Sequence, residues 1–300
     1  VLQKKLLFVS WIKALLKNVF MTMNTEKRFW IYFFLIIGSL SFGQNLKLMS
    51  YNIRLDVASD GQNAWPIRKD FFASQIQFYE PDIMGVQEAM PNQVIDLEQL
   101  LPQYNQVGIG REGQGKGESS SIFYRKEKLK VVSSNTFWLS DTPDLISKGW
   151  DAACHRICTF ALFQEINSDR LFWVFNTHLD HVGVQSRAKA IALLLAKIDQ
   201  FNNFNYPVIL MGDFNLEPDD KSIIELKTKM NDARDVSISS PFGPIGTFNN
   251  FEFDQPVTKR IDYIFISKNT KLEVKKYAVL TDSKNLRYPS DHFPVYVEIK

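Results

Sequence analysis

The apolar run Val208-Ile209-Leu210-Met211, closed by Gly212 and followed by Asp213, Phe214 and Asn215, constrains this chain more than any other stretch. Four consecutive apolar residues fit a strand buried on both faces. The run ends by delivering Asp213 and Asn215 at the strand's C-terminal end, where layered sheet proteins usually place their chemistry. Side chains alternate with a period of two, so this carboxylate and carboxamide point to one side of an extended chain. Taken alone, the motif also fits a solvated Asp-x-Asn turn after a core strand.

Strand and helix signals alternate from Leu46 onward. The stretch 46–53 alternates apolar and polar residues and presents Asn52 near its end. Residues 65–79 have helical spacing, with Pro66 in the first turn. Residues 82–88 read as a short buried strand ending on Glu88, and 91–101 as a second amphipathic helix. Gly108, Gly110, Gly113, Gly115 and Gly117 form a loop containing G-x-G-x-x-G. A strand at 122–124 follows where a dinucleotide site needs a helix, so a mobile surface loop is expected instead. Further strands are expected near Val131, Phe137, 157–166, 171–177, 261–266, 272–279 and 295–299, with helices over 183–200 and from about Asp219. This order, without a low-complexity linker, predicts one domain over 44–300: two sheets face to face with helices outside.

The net charge of +2 conceals an asymmetry. Residues 1–43 hold six basic residues and one acidic one, leaving 29 basic and 32 acidic residues beyond them, a net −3. No strongly basic nucleic-acid face is evident, so a polyanion would need a local patch or a bound cation. Met23 opens a short charged stretch, 29–40 is apolar but short for a bilayer, and Ser41-Phe42-Gly43 supplies small residues. This predicts a signal peptide over 23–43, cleaved after Gly43, with no stable membrane anchor afterwards. The protein is then exported, to a periplasm or outside the cell; the alternative is an uncleaved anchor. Residues 1–22 read as an over-extended start, with translation beginning at Met21 or Met23. Mass spectrometry of the exported protein checks this, and a mature chain still carrying Val1 contradicts it. Cys154 and Cys158 would lie about 13 Å apart in one strand, too far for a disulfide. With one histidine between them they make a weak zinc signal, and buried, non-catalytic thiols are expected.

Polar residues close the apolar strands throughout: Asn52, Glu88, Asn176 with His178, Asp213 with Asn215, Asp262, and Ser290-Asp291-His292. Singly each fits an ordinary turn or ion pair. Together and in this order they resemble the endonuclease/exonuclease/phosphatase superfamily over nearly all of 45–300. The resemblance implies an α/β fold, a four-layer α/β/β/α sandwich of two packed mixed sheets with outer helices. It implies a Mg²⁺ or Mn²⁺ held by Glu88 with Asn52, with Asp291 adding a metal contact; all-oxygen ligands suit those ions and argue against zinc. It further implies that Asp213 orients or deprotonates an attacking water beside Asn215. His178 and His292 would contact the non-bridging oxygens or assist proton transfer, with Asp262 orienting His292. Glu118 would back His178 in the same way. Arg156 resembles a phosphate-gripping arginine, a salt bridge being the alternative, and Asn176 joins it on the substrate side.

The resemblance implies a metal-dependent phosphoesterase but leaves the substrate open between a phosphodiester and a phosphomonoester. A nuclease leads, so nucleic acid is among the candidate partners. The competitors are a phosphatase or sphingomyelinase-like phospholipase, and a non-catalytic binding module. Val257-Thr258-Lys259-Arg260 departs from the Trp-x-Asp-Arg run of inositol 5-phosphatases. Asp180 and Arg187 are expected to form an ion pair behind His178 or to touch substrate. A monomer is expected.

Overall fold

The computed structural model describes residues 45–268 and 271–300. The expected signal peptide and over-extended start lie outside the described residues. In chain order the elements are β1 (Leu46–Asn52), α1 (Trp65–Tyr79), β2 (Ile83–Gln87), α2 (Pro91–Leu100), β3 (Tyr104–Val107), β4 (Ile122–Arg125), β5 (Leu129–Trp138), β6 (Ile157–Glu165), β7 (Leu171–His178), α3 (Val184–Phe201), β8 (Val208–Asp213), α4 (Lys221–Lys229), β9 (Met230–Asp232), β10 (Asp262–Ser267), β11 (Val274–Val279) and β12 (Val295–Ile299). Among the described residues no helix is long and apolar enough to cross a membrane.

The strands form two six-stranded mixed sheets, ordered β11-β12-β1-β2-β4-β3 and β5-β6-β7-β8-β10-β9. Alternation along the central strands gives each sheet two apolar faces. In β8, Ile209 and Met211 join Leu48, Ile83, Val174 and Val297 between the sheets. Val208 and Leu210 point the other way, onto Ile191, Leu194 and Ile198 of α3 and onto Ile223 and Leu226 of α4. Met49, Tyr51, Met84 and Val86 meet Phe72 and Ile76 of α1 and Leu97 of α2 on the opposite outer face. Three cores thus separate four layers, as the unbroken apolar run of β8 requires of a strand covered on both sides.

Strand direction brings the chemistry to one rim. β1 pairs parallel with β2, and β7 parallel with β8, so these four strands end on the same side. β12 runs antiparallel to β1, β6 to β7 and β10 to β8, so those three begin there. The register aligns His178 with Asp213 and Asp213 with Asp262 across three adjacent strands. Gly212 permits the close approach: at φ 151°, a Cβ there would lie 2.0 Å from the Thr177 carbonyl oxygen.

A polar tie crosses the inner layer beneath the rim. Asn176 is fully buried, its Oδ1 accepting from Gln87 Nε2 at 2.7 Å. Its Nδ2 donates to the carbonyls of Val86 at 2.9 Å and Ser121 at 3.0 Å. Expected on the substrate side, Asn176 instead pins the two sheets together, because it lies on the inner face of β7 and is enclosed by β2. Asn176→Ala removes three buried hydrogen bonds between the sheets, and is expected to cost about 2–4 kcal/mol of unfolding free energy. Urea denaturation measures that loss; the KM of any substrate should not change.

Candidate active site

The converging strand ends line a cleft of about 920 Å³. Asp213 is its hub. Oδ1 accepts from the Asn215 main-chain N–H at 2.9 Å. Oδ2 accepts from Asn52 Nδ2 at 2.9 Å, and lies 3.5 Å from His178 Nε2 and 3.8 Å from His292 Nε2. Asn52 Nδ2 also donates to Glu88 Oε1 at 2.9 Å, and Glu88 Oε2 accepts from the Leu55 N–H at 3.1 Å. Ser290 Oγ donates to the Asn52 carbonyl at 2.7 Å, fixing the loop that carries Asp291 and His292 onto the end of β1. Glu88 and Asn215 hold left-handed backbone conformations, at φ 63° and 50°. Non-glycine residues rarely adopt these, and they concentrate where a site must aim a side chain.

The two histidines are set to opposite charge states. His292 Nδ1 lies 2.8 Å from Asp262 Oδ2. Burial lowers its basicity, but the Asp262 carboxylate, its hydrogen bond and Asp213 prevail and raise the pKa to about 10. His178 has no hydrogen-bonded carboxylate among the described residues; Asp213 Oδ2 lies 3.5 Å away. Burial, with Arg156 and His292 adding repulsion, holds it well below the ordinary imidazole value. Its neutral Nε2 accepts from Asn215 Nδ2 at 3.0 Å, and the same amide donates to the Leu179 carbonyl. One imidazolium and one imidazole therefore face the same carboxylate.

The donor set fits a hard divalent cation. Burial and Asp262 push Asp213 up to about 7, and burial with Glu88 pushes Asp291 above the usual carboxylate range. Such crowding of carboxylates is relieved by a cation among them. Glu88, His178 and Asp213 each offer a ligand atom within 4.8 Å of one another. Asn52 turns its N–H groups toward both carboxylates, so as an oxygen ligand its amide would turn over.

Glu118 does not reach His178. It pairs with Arg111 Nη2 at 2.7 Å. Arg156 is buried, with Nε 3.2 Å from Asp180 Oδ2 and Nη2 2.9 Å from His181 Nδ1. It takes the ion pair expected between Asp180 and Arg187; Arg187 reaches only the Asp180 main-chain oxygen, at 3.0 Å. Arg156 nonetheless lines the cleft beside His178. Cys158 is buried as expected, whereas Cys154 is partly exposed, and both thiols are free. Sequence reasoning missed Arg54, whose guanidinium bonds Asp60 at 3.0 Å and lies 3.8 Å from Asp291. Its position two residues after Asn52 was the available signal, although the backbone turns left-handed at Arg54, φ 57°. Arg111 was missed because it sits in the glycine-rich loop.

Residues 49–292 match the sequence model of the Endonuclease/Exonuclease/phosphatase family. The chain belongs to this family. Its fold matches the structure of the mannosyl-6-phosphatase Bt3783 of Bacteroides thetaiotaomicron with a TM-score of 0.80 and 38% identity, covering 85% of this chain and 99% of that one. The uncharacterized protein L388 of Acanthamoeba polyphaga mimivirus is 31% identical over 78% of this chain and 91% of its own length. The 3'-5'-exoribonuclease subunit Ccr4 of Kluyveromyces lactis is 20% identical over 77% of this chain, which spans 37% of that longer protein. Family members are hydrolases acting on phosphoesters, and the relatives include both nucleases and a phosphatase.

Proposed function

We propose that the chain is a divalent-cation-dependent phosphomonoesterase that removes phosphate from a phosphorylated sugar. The observation that carries this reading is the charge layout of the cleft. Its lining includes eight acidic and five basic side chains. Arg156 is buried beside His178, while Glu217 and Asp219 are exposed at the rim. With Lys259 the exposed basic side chain there, carboxylates outnumber cations at the rim, which disfavours an extended polyanion and offers acceptors to sugar hydroxyls. The volume suits a small ligand. The 38% identity to a mannosyl-6-phosphatase over 99% of its chain supports the same choice.

In this reading Glu88, with Asp291 and with Asn52 once its amide turns over, would hold Mg²⁺ or Mn²⁺, which would supply charge neutralisation at the phosphoryl group. Asp213 orients the attacking water and takes its proton. Asn215, fixed by its amide bonds to neutral His178 and to the Leu179 carbonyl, offers its Oδ1 as an acceptor to that water. His292, kept protonated by Asp262, donates to a non-bridging oxygen as charge builds on the phosphoryl group. The same reading keeps the exported location expected from residues 23–43.

The purified protein with Mg²⁺ should release phosphate from mannose 6-phosphate with a kcat/KM at least about 10²-fold above that for bis(p-nitrophenyl) phosphate, a difference of ~2.7 kcal/mol in transition-state binding. Single-stranded DNA and RNA should remain uncut. Cleavage of either polymer with no phosphate release from sugar phosphates would replace this reading with a nuclease.

A further inference from the structure

The glycine-rich loop is closed by hydrogen bonds rather than left open as a surface loop. The Arg111 N–H donates to the Glu118 carbonyl at 2.9 Å, Lys116 to Gly113 at 2.9 Å, and Ser119 to Ala89 at 2.8 Å. Trp138 Nε1 donates to the Arg111 carbonyl at 2.8 Å. The last two bonds anchor the loop to the residue after Glu88 and to the second sheet. Arg111 and Glu118 thus stand opposite each other in a short antiparallel turn, and their side chains pair at 2.7 Å.

That pair leaves the guanidinium under-used. Arg111 Nε is buried without a hydrogen-bond partner among the described residues, the nearest carboxylate being Glu112 at 3.6 Å. A guanidinium carries five N–H donors in a rigid fork that matches phosphate oxygens. Arg111 lines the cleft wall with Glu88, Arg156 and His178. It lies close enough to His178 for its charge to disfavour the imidazolium, as Arg156 does. Two arginines therefore share the cleft wall with a neutral imidazole, each paired with a carboxylate: Arg156 with Asp180, Arg111 with Glu118.

We propose that Arg111 is a second phosphate-binding arginine of this cleft and that Glu118 is its positioning residue. The proposal rests on the phosphoesterase reading for its catalytic consequence, but phosphate binding tests it separately. Isothermal titration of the purified protein with inorganic phosphate in Mg²⁺ should show affinity falling about 10- to 100-fold in Arg111→Ala, the range of a lost charge-assisted hydrogen bond. Arg111→Lys should recover part of it, since one donor and the charge remain. Glu118→Gln should weaken phosphate binding less than Arg111→Ala and raise KM more than it lowers kcat. Guanidinium added to Arg111→Ala should restore part of the binding. Phosphate affinity unchanged in a folded Arg111→Ala, as judged by its melting temperature, would overturn the proposal. So would affinity lost equally in Arg111→Lys and not restored by guanidinium, because that marks a purely structural role. If the native protein binds phosphate but turns over no phosphoester, the function reading fails while the assignment of Arg111 stands or falls on the titration.

Discussion

His292→Ala should lower kcat for a phosphoester by about 10³-fold, the scale of a removed transition-state donor or proton-transfer group. The loss follows from the pairing of His292 with Asp262 at 2.8 Å, which keeps a charged donor 3.8 Å from the Asp213 carboxylate. Alanine also strands a buried carboxylate, so part of its effect could come through the fold. His292→Gln keeps an amide N–H for Asp262 and separates the two: the melting temperature should recover and the rate should not. Steady-state kinetics beside thermal melts measures both. Full activity in either variant would exclude His292 from the chemistry.

The same pair sets a pH dependence. Burial lowers His292, but Asp262 dominates and lifts it to about 10, above the ~6.5 of an unfolded histidine. A raised base contributes stability that is complete below pH ~6.5 and is lost as pH rises through about 10. Asp262→Asn removes the main upward influence, so the imidazolium should titrate at lower pH. The alkaline limb of the pH–kcat profile should move down with it. A limb that stays in place would show that another group controls it.

The second large effect concerns the cation. Glu88→Ala should abolish the response of both rate and melting temperature to Mg²⁺ or Mn²⁺. In the native protein a cation at 100 times its Kd adds about 2.7 kcal/mol, which raises Tm by roughly 5–10 °C for a domain of this size. The rise should be larger at pH 8 than at pH 5. Burial and Asp262 hold Asp213 up at about 7, so its repulsion with neighbouring carboxylates is fully developed only above that pH. Differential scanning fluorimetry with and without EDTA reads this directly. A cation-dependent shift that survives Glu88→Ala would move the metal elsewhere.

The layered fold was legible because its signals are local. The run 208–211 is apolar on both faces, and β8 does lie between two apolar layers. Strand-end residues were legible for the same reason: Asn52, Glu88, His178, Asp213, Asp262 and His292 each follow or precede an apolar strand, and the parallel pairs β1–β2 and β7–β8 bring them to one rim. Sequence could not assign partners among residues far apart in the chain. Asn176 and His178 sit two apart on one strand, yet the first is sealed between the sheets while the second borders the cleft. Glu118 has a histidine and an arginine within the same neighbourhood, and the backbone of a tight glycine turn decides for Arg111. Likewise Asp180 lies seven residues from Arg187, just before α3, but its carboxylate accepts from the N–H groups of Ala153, Val182 and Gly183 and from Arg156. These choices depend on loop closure and burial, which no periodicity encodes.

Anomalous diffraction from crystals soaked in Mn²⁺ and phosphate locates the cation and the phosphoryl group relative to Glu88 and the two histidines. A manganese peak is expected at coordinating distance from Glu88, with phosphate between it and His178, Asp213 and His292. Manganese bound only away from Glu88, or phosphate seated where neither histidine reaches it, would rule out this cleft as the phosphoesterase site.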